Sequence, residues 1–153
     1  MGTRGGEGLK WVLQPQQLLW KLSDRARQFG QARILNATAA VGKRGEDLAH
    51  RYLEKAGFKV VARNYKPGDD SEVDIVARLG ELLVFVEVKT RVSAEHFAPE
   101  KAVDQDKERH ILKAARAFAS RANIEWDKVR FDIVSIILVD PPTIAHYEDA
   151  FSA

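Results

Sequence analysis

The chain contains no cysteine. Disulfide bonds and cysteine-ligated zinc are therefore excluded, and a reducing, cytoplasmic setting is expected. No apolar run approaches the roughly 18 residues that would span a bilayer, so no transmembrane segment is expected. Near the N-terminus Gln14-Pro15-Gln16-Gln17 breaks the apolar character, so a secretory signal is not expected either. There is no Walker-type or dinucleotide-type glycine loop, and no Ser-His-Asp order that points to acyl transfer. His50, His96, His110 and His146 lack metal-ligand spacing and read as surface or packing residues. Strong charge of one sign is also missing. The net charge is +2 over 153 residues, which is not the uniformly basic surface of a tight, nonspecific DNA binder.

What charge there is lies unevenly. Residues 1–40 hold six Lys or Arg and two acids, giving +4, so the remainder carries −2. Residues 1–9 are Gly-rich and read as disordered. Residues 16–29 place Leu18, Leu19, Leu22, Ala26 and Phe29 at helical spacing, with Lys21, Arg25 and Arg27 largely outside that stripe. This predicts a short basic amphipathic helix, docked on its own domain or recruiting a partner or membrane surface. Residues 30–42 read as a linker. Residues 1–40 are thus expected to be an N-terminal extension, and 41–153 a single domain whose 45 % hydrophobic content supports a core.

Within that domain a helix is predicted over 43–56, capped by Gly57, and a strand over 58–64. The turn residues Pro67-Gly68-Asp69-Asp70 precede a hairpin over 72–90. A polar loop over 91–99, a helix over 100–122, a strand over 129–139 and a short edge strand over 143–147 follow. The order α-β-β-β-α-β-β indicates an α/β fold, a mixed sheet with helices on its faces.

The hairpin carries the chemistry. A two-residue loop at Gly80-Glu81, with Gly supplying positive φ, sets Asp74 across from Glu87 and Glu72 across from Lys89. Directly paired Cβ atoms lie roughly 4.5–5.5 Å apart. Strict alternation would project Glu72, Asp74, Glu87 and Lys89 from one face, and Val73, Ile75, Val86 and Val88 from the other. A three-residue loop would split the cluster between faces. Two carboxylates this close repel unless one is protonated or a cation neutralises them. Mg²⁺ or Mn²⁺, hard ions that accept one or two carboxylates plus water and phosphate oxygens, fit that need. Lys89 would orient a nucleophilic water or meet developing negative charge. A solvated face with a Glu72–Lys89 ion pair is the plain alternative. The apolar run Leu82–Val88 opposes it, because a central strand buried on both faces does not carry idle carboxylates. Asp132, in another apolar strand, reads as the ion-pair partner of Arg130.

Gly42-x-x-Gly45-Glu46-x-x-Ala49, Tyr52-Leu53, Gly57, Arg63-Asn64, Glu72-Val73-Asp74-Ile75-Val76, Val84-Phe85-Val86-Glu87-Val88-Lys89-x-Arg91, Lys107, Arg130-Phe131-Asp132 and Ala150-Phe151 form an ordered set. Together they resemble the YraN-like family of small bacterial proteins, related to the PD-(D/E)xK nucleases and similar in plan to archaeal Holliday-junction resolvases. The resemblance spans about residues 41–151. It implies a restriction-endonuclease-like mixed β-sheet flanked by helices, with core order α-β-β-β-α-β. It further implies that Asp74 and Glu87 hold the metal with Glu46 assisting, and that Lys89 is the catalytic lysine. Lys107 would face substrate phosphate or the site, and Arg63, Arg91 and Arg130 would contact the nucleic-acid backbone. DNA is the implied partner and a homodimer the implied assembly. The usual Gly-Glu-x-Asp stands here as Ser71-Glu72-Val73-Asp74, behind the acidic Asp69-Asp70 pair. A non-catalytic nucleic-acid-binding or scaffold role for the same fold is the alternative.

Overall fold

The computed structural model describes residues 27–93 and 104–152. The chain divides into two units at Ala40 and Val41. Most of the expected N-terminal amphipathic helix and of the polar loop over 91–99 lies outside the described residues. Residues 30–42, read as a linker, are helical: a single helix, α1, runs from Arg27 to Lys55. The physical reason is the composition of 31–40, where four alanines and further helix formers sustain helix without any apolar stripe.

The α1 helix ends on a Schellman motif. Gly57 takes φ +90°, Phe58 N donates to Leu53 O at 2.9 Å and Gly57 N to Glu54 O at 3.1 Å. The chain then forms β1 (Lys59–Gly68), β2 (Ser71–Leu79) and β3 (Leu82–Arg91). Helix α2 (Gln105–Arg121), a short 3-10 turn, β4 (Val129–Ile137) and β5 (Thr143–Tyr147) complete the fold. Asp104 caps α2 by accepting from Asp106 N at 3.2 Å. Asn123, at φ +54°, closes its far end with the same Schellman pattern.

The five strands lie in the order β1-β2-β3-β4-β5. Neighbours are antiparallel except β3 and β4, which are parallel and joined through α2. Such a parallel pair needs a crossover connection, and a helix is the usual one. On one face Ala49, Leu53 and Phe58 pack against Ile75, Ala77, Val84, Val86, Val134 and Ile136. On the other, Ile111, Ala114, Ala115 and Ala119 of α2 pack against Val73, Val76, Leu83, Phe85 and Phe131. The architecture is the restriction-endonuclease-like mixed sheet with a helix on each face.

From Ile75–Val86 to the turn the hairpin register is the expected one; the described ladder stops before the expected Asp74–Glu87 and Glu72–Lys89 pairs. Leu79 pairs with Leu82 and Ile75 with Val86 around Gly80, which takes φ +58°. The expected faces are not all observed. Val73 packs on the α2 side, whereas Ile75, Val86 and Val88 pack on the α1 side. In β1, Ala62 and Tyr65 both pack on the α2 side, with Asn64 between them at φ +48°. Asn64 lies opposite Asp74, between the pairs Arg63–Ile75 and Tyr65–Val73. Strands β1 and β2 therefore roll at the same level, and strict period-two alternation stops there.

Candidate functional site

The roll in β2 leaves the Asp74 carboxylate beside β3 rather than normal to the sheet. Its Oδ2 accepts a hydrogen bond from Val88 N at 2.8 Å. A side chain thus satisfies a donor just beyond Ile75–Val86, the last described pair of that ladder. Glu87, the next residue along β3, is 8 % exposed and sits on the α2 face with Phe85. Its Oε2 is shut off from solvent and accepts no hydrogen bond. Lys107 Nζ, from the first turn of α2, lies 3.4 Å from that oxygen, close enough to pair charges but not aligned to donate.

The electrostatics follow from this placement. Burial first, then the adjacent Asp74 charge, pushes the Glu87 carboxyl up to about 8, with Lys107 opposing. Burial also raises Asp74, while the Val88 N–H works against it and the charge of Glu46 adds to it. Burial opposes the charged form of Lys107, but the carboxylates of Glu87, Asp74 and Glu72 carry its pKa upward. Without a further cation the pair retains a proton near neutral pH.

Glu46 reaches the same region from α1. Asn64 Nδ2 donates to its Oε2 at 3.0 Å, and Arg63 lies 3.5 Å from the same oxygen. Arg63 also pairs with Asp47 at 2.8 Å. What brings α1 this close is Gly45: a Cβ there would fall 1.8 Å from Thr90 Oγ1 of β3. Lys89 lies two residues beyond Glu87 on the same strand, partly buried, with Ser135 as its neighbour on β4. Arg91 ends β3 beside Ile137.

Arg130 serves elsewhere. Its Nε and Nη2 donate to the two oxygens of Asp132 at 2.8 and 2.7 Å, and Glu148 lies 3.5 Å away. His146 Nε2 and Asp149 N complete the shell of Asp132 at 2.8 and 3.0 Å. Burial would raise this carboxyl, yet His146, Arg130 and Asp149 N hold it below the ordinary value. The ion pair read from the sequence is thus present, as one part of a satisfied network. Near the turn, Lys113 Nζ neutralises Asp70 at 2.6 Å. The acidic loop before Asp74 is in that way partly balanced by α2.

The structure therefore gathers Asp74, Glu87 and Lys107, sets Glu46 at their flank through Asn64, and places Lys89 next along β3. Arg63 and Arg130 are engaged with acids of the protein itself. Asn64 has a role the sequence reading did not assign. Its signal is available: Asn is one of the few non-glycine residues that tolerates positive φ, and this one interrupts a strand.

Among the described residues no group of three or more His, Cys, Asp or Glu is arranged to hold a metal ion. The pair alone still fits a hard divalent cation. Both donors are carboxylates, one oxygen is buried without a hydrogen bond, and such ions need only one or two protein carboxylates.

A five-stranded mixed sheet, a helix on each face and an acidic pair against a lysine-bearing strand place the protein in the nuclease-like α/β class. Residues 45–136 match the profile of the uncharacterised protein family UPF0102. A UPF0102 protein of Solibacter usitatus is 50 % identical over 111 residues, covering 72 % of this chain and 84 % of its own. Those of Geobacter sulfurreducens and Dictyoglomus thermophilum are 45 % and 42 % identical, each over 113 residues. They cover 72 % and 74 % of this chain, and 88 % and 95 % of their own. The chain belongs to the UPF0102 family, also called the YraN family.

Proposed function

We propose that the protein is a Mg²⁺- or Mn²⁺-dependent endonuclease that hydrolyses DNA phosphodiester bonds, with branched or repair intermediates as substrates. The observation that carries this reading is the contrast between two buried acids. Asp132 is fully satisfied by its neighbours, whereas Glu87 is buried beside a second carboxylate with one oxygen lacking a hydrogen bond. A merely structural acid is expected to resemble Asp132, because an unsatisfied buried polar group costs about 1–3 kcal/mol.

In this reading Asp74 and Glu87 hold the ion, and Glu46, steadied by Asn64, adds negative charge at its flank. When bound, the ion lowers the pKa of water and offsets charge on the phosphate. Lys89 orients the attacking water and stabilises charge growing on the phosphoryl oxygens. Water oxygen bonds to phosphorus as the phosphorus–oxygen ester bond breaks; the water gives up its proton to bulk solvent, and the departing oxygen takes one up and leaves as a hydroxyl. Arg91 and Lys107 border the site and help position the backbone. A homodimer is the assembly proposed for a branched substrate.

The test is cleavage of duplex, single-stranded, flapped and four-way-junction DNA in Mg²⁺ or Mn²⁺, with wild type beside Lys89→Ala. Metal-dependent cutting by wild type, reduced about 100-fold or more in Lys89→Ala, is expected. Absence of cutting on every substrate contradicts the catalytic reading. The same fold serving as a DNA-binding or scaffold protein is then the reading that remains.

A further inference from the structure

Lys107 stands where a cation is least welcome in a helix. It lies between Asp106 and Glu108 in the first turn of α2. Unpaired N–H dipoles there favour anions and oppose a positive charge. Its side chain nevertheless turns to the acid pair, with Nζ 3.4 Å from Glu87 Oε2. The charges of Asp74 and Glu72 act on it as well. The side chain is 34 % exposed, so it is not needed as core packing. At 3.4 Å the contact is chiefly one of charge, of a kind that another cation can replace.

We propose that Lys107 is the built-in counter-cation of the Asp74–Glu87 pair, one that competes with the divalent ion and gives way when the ion binds. This exchange rests on the metal-dependent reading above. A lone ammonium carries one charge to the pair and a divalent ion two, so the ion wins once its concentration suffices. The displaced ammonium stays at the mouth of the site on a flexible four-carbon stem, where it meets an incoming phosphate.

The experiment is a Mn²⁺ titration of the full chain without DNA, read by electron paramagnetic resonance of the free ion. It compares wild type, Lys107→Met, Lys107→Gln and Lys107→Arg. Thermal melts confirm that each variant folds. Removal of the competing charge is expected to tighten Mn²⁺ binding on the order of ten-fold in the Met and Gln variants. The Arg variant, which keeps the charge, is expected to stay within about two-fold of wild type. Met and Gln variants that bind Mn²⁺ no more tightly than wild type overturn the exchange and leave the metal site standing. No Mn²⁺ binding by wild type or any variant overturns the metal-dependent reading itself.

Discussion

At Glu87 two demands collide. Its position in β3, between Phe85 and Val88 and against α2, calls for a hydrophobe, while the residue present is an acid beside another acid. Burial and Asp74 lift its carboxyl from an ordinary 4.5 to about 8. In the native state it keeps its proton across that window, while in the unfolded chain it loses it. Unfolding therefore releases a proton, and stability falls as pH rises from about 4.5 to about 8. The contribution is fully present below that window and gone above it. Glu87→Gln is expected to flatten this slope and to raise stability at pH 8, by an order of a few kcal/mol. Urea unfolding at a series of pH values measures it, and an unchanged slope in the variant contradicts the assignment. This conflict was legible in the sequence, because Leu82–Val88 reads as a buried strand and Glu87 breaks it. The oxygen left without a hydrogen bond was not, since it depends on how α2 places Lys107.

Among the elements, α1 and β3 set the width of the site. Gly45 lets the helix approach until a Cβ would fall 1.8 Å from Thr90 Oγ1. Gly45→Ala must push α1 away from β3, with an expected loss of about 1–3 kcal/mol. Thr90→Ala should recover part of that loss in the double variant, because the two residues share one contact. Denaturant unfolding of the three variants checks this, and a neutral Gly45→Ala would show that the contact is not close. The hairpin was readable in outline, with a two-residue and a three-residue loop both open; the structure takes the two-residue one, with Leu79 paired to Leu82 around Gly80 at φ +58°. The coordinated roll at Asn64 and Asp74 was not readable. Periodicity assigns residues to faces by alternation, and two strands that roll together keep their mutual pairing while changing faces. The long α1 was misread for a related reason: alanine-rich helix has propensity but no apolar stripe to announce it.

At the scale of the whole molecule the two faces of the sheet treat their buried acids differently. On the α1 face, Asp132 ties Arg130, His146 and Asp149 together, and His146 packs edge-on against Tyr52 with ring centroids 5.6 Å apart. On the α2 face, the acid pair meets Lys107 and is left incompletely satisfied. Among the described residues no helix is long and apolar enough to cross a membrane. Arg63 and Arg130 are paired with acids of the protein itself, so a count of basic residues overstates the positive charge left for an outside partner. Whether Asp74 and Glu87 form a cation site is decided by Mn²⁺ binding together with thermal stability, in wild type beside Asp74→Asn. The Asn carbonyl oxygen can still accept from Val88 N, so only charge is removed. In Asp74→Asn the Mn²⁺ affinity is expected to fall at least about ten-fold while metal-free stability holds or rises. A clear loss of metal-free stability with unchanged Mn²⁺ affinity would contradict the cation site.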